Sequence, residues 1–409
     1  MSDAKLIKYA ELLVKTGINL KNDQILIVRA PIECAEFARA ITDIAFDAGA
    51  KDVVVLWNDE VYSKIRYLKG PEALFDTVPS WQKEFYLSYV RQDAAFLSIS
   101  ASDPENLKDV DPLRIQRYSR AFSAEVSEYR ERLMNNENVW CVASVPTPAW
   151  AKKVFPNETV EDAMSKLWDA IYESVRIGEP DPVAAWETHK EALKKQMNHL
   201  NELNFKSLHY TNSLGTDLVI ELPEGHIWLG GSDLTPDGHE FIANMPTEEV
   251  FTAPKRDGVN GRVVSSMPLN FSGSLIDKFE LTFENGKVVD YKAEVGYEQL
   301  KRLLETDEGS MYLGEVALVQ YDSPISNMGI LFYNTLFDEN ASCHLALGKA
   351  YPVCLKGGEH MDSETLIQNG INDSMTHEDF MIGTKDLSIV GTTATGEKIQ
   401  VFKDGNFIF

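Results

Sequence analysis

Several kinds of site are excluded by what this 409-residue sequence lacks. It has no Gly-x-Gly-x-x-Gly motif after the first strand-like run and no Gly-Lys-Ser/Thr loop, which argues against dinucleotide and P-loop nucleotide binding. The helix-borne zinc motif His-Glu-x-x-His is also missing. Only four cysteines occur, none in a Cys-x-x-Cys pair, so a disulfide scaffold and a Cys-rich zinc site are excluded. We interpret Cys34, Cys141 and Cys354 as small buried hydrophobic residues in a reducing compartment.

Basic residues are also in short supply. Lys and Arg number 39 against 63 Asp and Glu, which gives a formal net charge of -24. Such a balance argues against nucleic-acid and anionic-membrane partners, because both need a local excess of positive charge. No run of about 18 apolar residues could span a bilayer, and the opening stretch of residues 1–17 carries charges where a signal peptide would be apolar. We therefore expect a cytoplasmic protein.

What the sequence does contain predicts two domains. Hydrophobic residues make up 44% of the chain, and a single core rarely grows beyond about 250 to 300 residues. The first part alternates helix-type and strand-type segments, and its β-branched second strand predicts a βαβ unit with a parallel sheet covered on both faces. The segments are a helix at 6–16, a buried strand at 24–28, a helix at 36–48, a second buried strand at 52–57, and strands at 94–100 and 140–145.

The residue pattern changes after a helical stretch at 150–205. Short β-prone runs follow, and Asn285-Gly286 between two alternating runs predicts a hairpin. Gly396 and Asp404-Gly405 predict further turns near the end of the chain. The β-prone runs are 218–222, 278–295, 316–321 and 328–334. We therefore predict an α/β domain at 1–200, Rossmann-like but not nucleotide-binding, and a β-rich α+β catalytic domain at 201–409.

The eight histidines are the most informative candidates for metal ligands. His189 and His199 lie in a charged helical stretch and are predicted to be solvated, while His209 and His226 flank β-type runs with no acidic partner in the pattern. His377 and Asp379 would face the same side of a strand, because residues two apart do so. His360 and Asp362 have the same spacing, so spacing alone does not choose between the two pairs.

The carboxylates pose similar choices. Glu339 and His344 are five apart, so both reach one metal only if a bend intervenes between them. Glu315 heads an apolar run, where a solvated strand end is the ordinary explanation. The adjacent Glu248 and Glu249 could equally cap a turn.

Four blocks of sequence resemble the aminopeptidase T and aminopeptidase S (PepS-like) family of metallo-aminopeptidases. They occur in the order expected for the family, and a weaker resemblance extends to the opening helix and first strand, so the likeness spans most of the chain. The blocks are NMPTEEVFTAP at 244–254, GEVAL at 314–318, ENASCHLALG at 339–348 followed by Tyr351, and HEDFMIG at 377–383.

The resemblance implies a dinuclear metallo-exopeptidase that removes the N-terminal residue of short peptides with a metal-activated water. It also implies Tyr351 at the site. From the chemistry of such a centre we choose Glu315 as the carboxylate that bridges the two metals, and Tyr351 as a hydrogen-bond donor to the oxyanion. The general base is either Glu315 or Glu248. The resemblance chooses Glu249 over Glu248 and His377 over His360. The implied metal ligands are Glu249, Glu315, Glu339, His344, His377 and Asp379.

Mixed carboxylate and imidazole ligands suit two divalent ions, Zn, Co, Mn or Mg. The implied substrates are peptides with a free N-terminus, and the implied assembly is a homodimer. Two other classes are compatible with the residues. One is a two-metal phosphoesterase, for which no evident Lys or Arg cluster lies near the candidate ligands to hold phosphate, although Lys255 and Arg256 closely follow the first block. The other is a peptide-binding protein without turnover.

Overall fold

The computed structural model describes residues 4–271 and 273–409, which form two compact units. The first unit contains the described residues up to Thr188 together with Ser232–Pro246, and the second contains His189–Gly231 and Thr247–Phe409. The boundary between Thr188 and His189 falls inside one helix, Pro182–Leu203.

The part of the chain before residue 204 alternates helices with parallel strands. Its strands are β1 (Ile25–Pro31), β2 (Asp52–Asn58), β3 (Ala95–Ile99) and β4 (Trp140–Ala143). Its helices are α1 (Ala4–Leu12, continued by a π-helical turn Leu13–Gly17), α2 (Ala35–Asp47), α3 (Glu60–Lys69), α4 (Ser80–Val90), α5 (Pro112–Glu125), α6 (Ser127–Met134), α7 (Pro148–Val154), α8 (Val160–Ser174) and α9 (Pro182–Leu203).

The four strands form a parallel sheet in the order β2-β1-β3-β4. Helix α2 forms where predicted because Phe37, Ile41 and Ala45 recur at helical spacing and are all buried. The predicted parallel βαβ arrangement is therefore confirmed. One detail was wrong: β2 lies at the sheet edge, so its run of apolar residues is partly exposed rather than buried on both faces.

Strands dominate the rest of the chain. They are β5 (Phe205–Thr211), β6 (Asp217–Glu221), β7 (Leu229–Gly230), β8 (Asp233–Leu234), β9 (Glu240–Phe241), β10 (Val250–Thr252), β11 (Val259–Val264), β12 (Leu269–Phe271), β13 (Ser274–Glu284), β14 (Lys287–Val295), β15 (Leu313–Leu318), β16 (His344–Gly348), β17 (His377–Met381), β18 (Ser388–Thr393), β19 (Lys398–Lys403) and β20 (Asn406–Phe407). The helices are α10 (Tyr297–Leu304), α11 (Pro324–Asn327), α12 (Thr335–Asp338) and α13 (Ser363–Gln368).

The second unit contains two antiparallel sheets. A nine-stranded sheet runs β12-β13-β11-β6-β5-β18-β19-β20, with β14 paired to β13. A five-stranded sheet runs β17-β16-β15-β10-β7. The β13–β14 hairpin turns at Asn285 and Gly286, both at positive φ, as the sequence predicts. The predicted order of fold classes, a parallel α/β region followed by a β-rich α+β region, is confirmed.

The predicted strand at 328–334 was wrong. This segment is irregular because a buried side chain, rather than a neighbouring strand, takes its backbone donors. Asp338 accepts hydrogen bonds from the backbone N–H of Phe332 at 2.8 Å and of Asn334 at 3.0 Å. Tyr333 between them adopts positive φ, which no regular strand does.

Two further expectations bear on the environment of the protein. Cys34, Cys141 and Cys354 are buried, as predicted, and Cys343 is buried as well. Among the helices that the structure describes, none combines the length and the apolar character needed to cross a membrane.

Candidate metal centre

One face of the five-stranded sheet carries polar side chains while the opposite face carries the core. Side chains alternate along each strand, and Val316, Leu345 and Phe380 pair across β15, β16 and β17 on the core face. The residues one step along each strand therefore point to the other face. They are Glu315, Ala317, His344, Ala346, His377 and Asp379.

The pairing register explains why these groups converge. Glu315 pairs with Ala346, which in turn pairs with Asp379, and Ala317 pairs with His344. Each long polar side chain therefore has a small neighbour across the sheet. The small side chains leave room for carboxylates and imidazoles to lean toward one another above the sheet.

Two groups of three side chains result. Glu249, directly before β10, lies with Glu315 and His344, and Glu315 also lies with His377 and Asp379. Within each group, one ligand-type atom per residue lies within 4.8 Å of the others. Glu315 belongs to both groups: its Oε1 lies 3.7 Å from His344 Nε2, and its Oε2 lies 3.4 Å from His377 Nε2.

Backbone carbonyls fix the orientation of both imidazoles. His344 Nδ1 lies 3.0 Å from the carbonyl oxygens of Glu339 and Ser342, and His377 Nδ1 lies 2.6 Å from that of Lys349. A carbonyl only accepts, so each Nδ1 carries the hydrogen and donates it. Each Nε2 is thereby turned toward the carboxylates, which is the arrangement that metal-binding histidines require.

Glu339 reaches the same region by the bend that its spacing from His344 demands. It begins a 3₁₀ turn, Glu339–Ala341, that ends before β16 starts at His344. Among the described residues it belongs to neither three-residue group. Burial raises the pKa of Glu339 well above its usual value, and the nearby charge of Asp379 adds to that shift. Its neighbour Asp338 is bonded instead to the backbone of the 332–334 segment.

The donor set fits a divalent cation. Glu249 Oε2 and Asp379 Oδ1 are buried and accept no hydrogen bond from any described residue, although Glu249 Oε2 lies 3.0 Å from His344 Nε2. Burial alone would lower the pKa of His344, but the adjacent Glu249 and Glu315 raise it well above its usual value. Buried carboxylates that crowd together in this way are stabilised by positive charge, which a bound cation provides.

Tyr351 borders this cluster. Its ring lies 5.2 Å from the His377 ring and 5.9 Å from the Phe251 ring, both in edge-on geometry. Burial raises the pKa of the Tyr351 phenol well above its usual value, and the surrounding carboxylates raise it further. The hydroxyl therefore stays protonated and remains a hydrogen-bond donor.

The structure distinguishes the candidate residues between which sequence spacing could not choose. The His360 side chain is 82% exposed in a short 3₁₀ turn, and Asp362 caps helix α13 by accepting from Thr365 N–H. Glu248 lies beside His189, with Oε2 3.5 Å from its Nε2, while Glu249 lies beside His344.

One histidine prediction was wrong, and the sequence pattern did not reveal the partner of a second histidine. The His189 side chain is only 12% exposed rather than solvated. His209 does have an acidic partner, since its Nε2 lies 2.7 Å from Asp217 Oδ1 on the neighbouring strand β6. Alternating strands at 205–211 and 217–221 could have suggested the second contact, but no local pattern indicates the first.

Lys255 and Arg256, the cations considered for a phosphate site, form ion pairs with carboxylates of the protein. Lys255 lies 3.1 Å from Asp257 and 3.5 Å from Glu221, and Arg256 lies 3.2 Å from Glu308. Their positive charge is therefore balanced by carboxylates of the protein itself.

Comparisons with known proteins find relatives along the whole length of the chain. The chain is 46% identical to aminopeptidase AmpS of Bacillus subtilis over 405 residues, covering 99% of this chain and 98% of that one. It is 40% identical to aminopeptidase T of Thermus aquaticus, with 98% of each chain covered. The solved structure of wild-type AmpT from Thermus thermophilus matches with a TM-score of 0.91 at 38% identity, covering 99% of both chains.

The family model described as thermophilic metalloprotease (M29) matches residues 2–407, nearly the whole length. The predicted family, enzyme class and dependence on divalent metal are thereby confirmed. The convergent carboxylates and imidazoles, the matched fold and the full-length similarity together show that this chain belongs to the M29 family of metalloproteases.

Proposed function

We propose that this protein is a dinuclear aminopeptidase that hydrolyses the N-terminal peptide bond of short peptides. The observation that carries the proposal is the position of Glu315, which is common to both three-residue groups and turns one carboxylate oxygen toward each histidine. A carboxylate in that position suits two cations held side by side.

Each ion would have its own ligands besides Glu315. Glu249 and His344 would hold one ion, and His377 and Asp379 the other. Glu339 extends the set through the bend before β16, where the charges of Glu249 and Asp379 already act on it. Mixed oxygen and nitrogen donors of this kind suit Zn, Co, Mn or Mg. When bound, the ions would polarise the scissile carbonyl and lower the pKa of the attacking water.

The residues of the chain would move the protons. A base must take a proton from the attacking water and return one to the leaving amine. Glu315 and Glu248 are the two candidates. A carboxylate that bridges two cations has both oxygens engaged, so we assign the base to Glu248. Its side chain is 7% exposed and directly precedes Glu249 in the chain.

Tyr351 would stabilise negative charge on the substrate. Because its pKa is raised, the phenol keeps its proton and can donate a hydrogen bond to the oxyanion that forms at the carbonyl. Its ring packs edge-on against His377, and this contact supports a role for Tyr351 beside the second group of candidate ligands.

The substrate class follows from the relatives, which carry the names aminopeptidase AmpS and aminopeptidase T. We propose peptides with a free α-amine as substrates, a cytoplasmic location, and a homodimer as the working assembly. Four buried cysteines without disulfides support a reducing compartment. Light scattering across the micromolar range tests the assembly, and a monomer there would contradict it. We also propose that residues 1–200 act as a domain that shapes access and assembly.

The first experiment is hydrolysis of a panel of aminoacyl chromogenic amides, with N-acetylated amides as controls. The protein is stripped with a chelator and then assayed with Co, Zn, Mn or Mg added separately. We expect metal-dependent cleavage that requires the free α-amine. Cleavage of the N-acetylated amides, or no cleavage with any of the four metals, would contradict the proposed function.

A further inference from the structure

The peptide group between Thr247 and Glu248, just before the ligand candidate Glu249, is held from two sides by side chains distant in sequence. His189 Nε2 lies 2.8 Å from the Thr247 carbonyl oxygen, and the Glu248 N–H donates to Asn340 Oδ1 at 2.7 Å. Both polar groups of one backbone peptide are therefore bonded to side chains rather than to a neighbouring strand.

The histidine contact has a defined direction. A carbonyl oxygen only accepts, so His189 must carry its hydrogen on Nε2 and donate it. The Glu248 carboxylate lies 3.5 Å from the same nitrogen, which favours that tautomer further. The side chains of His189 and Glu248 are 12% and 7% exposed, so water offers little substitute for this hydrogen bond.

Asn340 connects the Thr247–Glu248 peptide to Glu339, a second candidate ligand. Asn340 is fully buried, and its Nδ2 donates to the Leu336 carbonyl at 2.8 Å. That nitrogen also lies 3.4 Å from Glu339 Oε1. Asn340 therefore connects the segment that carries Glu249 with the turn that carries Glu339.

We propose that His189 and Asn340 are positioning residues that fix the 247–249 backbone and thereby aim Glu249 at the ion it shares with His344. The inference rests on the proposed function, because it assumes that Glu249 is a metal ligand. Neither residue is proposed to contact an ion or a substrate. Groups that orient metal ligands in this way typically change metal affinity by about 10- to 100-fold when they are removed.

Helix α9 offers a matched set of variants. His189→Gln keeps an N–H donor at nearly the reach of Nε2, whereas His189→Asn keeps an amide that is one methylene too short. His199→Ala is the control, because His199 lies on the same helix but its ring packs against Phe409, with ring centroids 4.2 Å apart. Each metal-free protein is titrated with Co²⁺, and the cobalt absorbance reports both affinity and ligand geometry.

We expect His189→Asn to bind the more tightly held Co²⁺ about 10- to 100-fold more weakly, with altered absorbance. His189→Gln should recover most of that affinity, and His199→Ala should match the unaltered protein. Circular dichroism of the metal-free proteins shows that each variant is folded. Should His189→Asn not fold, the proposal is judged on His189→Gln against the unaltered protein.

Unchanged Co²⁺ affinity in folded His189→Asn would overturn the proposal, as would equal weakening by Gln and Asn, which would indicate a packing role. The proposed function fails differently. In that case the unaltered protein itself would bind no Co²⁺ or cleave no aminoacyl amide.

Discussion

The two groups that share Glu315 differ in their exposure to solvent. In the enclosed group the side chains of His344 and Glu249 are 1% and 10% exposed, whereas in the open group those of His377 and Asp379 are 18% and 13% exposed, so the two histidines differ most. Closed metal sites serve mainly to hold an ion, and open ones leave a position for substrate. We therefore expect substrate to approach from the side of the open group, where the Tyr351 ring packs against His377.

The largest effect should come from the residue that the two groups share. We expect Glu315→Gln to lose both ions and to lower activity to background, because an amide lacks the charge and one of the acceptor oxygens that two cations require. Elemental analysis of the purified variant measures the metal content, and aminoacyl amide hydrolysis measures the activity. A variant that retained two ions per chain would show that Glu315 does not join the groups.

Substitution within each group separately should sharpen the comparison. We expect His344→Ala and His377→Ala each to retain one ion per chain. His344→Ala should also lower the free energy of unfolding of the metal-free protein, by about 3 to 5 kcal/mol, because it leaves Glu249 buried without its partner. His377→Ala should cost less, since its ring is partly exposed. Urea unfolding compares the two, and equal losses would remove the distinction between enclosed and open groups.

Local pattern was enough to predict part of this site. His377 and Asp379 face one side of a five-residue strand, as their spacing predicts. A bend separates Glu339 from His344, as the spacing of these two residues requires. Both inferences depend only on the direction of successive side chains. The parallel strands of the first unit were predicted on other grounds, from the alternation of helix-type and strand-type segments with a β-branched second strand.

Long-range contacts could not be predicted in this way. Nothing local indicates that His189 meets the backbone at Thr247, 58 residues later, and a charged helix is ordinarily solvated. The irregular 328–334 segment has strand-like composition, but Asp338 captures its N–H groups. The return of Ser232–Pro246 to the first unit is a further long-range feature, because it depends on backbone hydrogen bonds to Gly17 and Val142, which are distant in sequence.

A smaller effect is expected at the edge of the open group. Tyr351→Phe keeps the ring that packs on His377 but removes the hydroxyl. Loss of one oxyanion donor typically lowers kcat by about 10²- to 10³-fold, and we expect KM and metal content to change little. Steady-state kinetics on a preferred aminoacyl amide separates the two constants. A raised KM with unchanged kcat would instead place Tyr351 in ground-state binding of the substrate.

The smallest effect should come from the second His-x-Asp pair, which has the same sequence spacing as the histidine and aspartate of the open group. His360 and Asp362 repeat the spacing of His377 and Asp379, yet the His360 side chain is 82% exposed and Asp362 caps a helix. We therefore expect His360→Ala to keep two ions and unaltered kcat/KM. The double variant His360→Ala with His377→Ala should behave as His377→Ala alone, because His360 is not part of the proposed metal centre and the two substitutions do not interact. If His360→Ala lost an ion, both pairs with this spacing would bind metal. Solvent exposure would then not distinguish the proposed ligand His377 from His360.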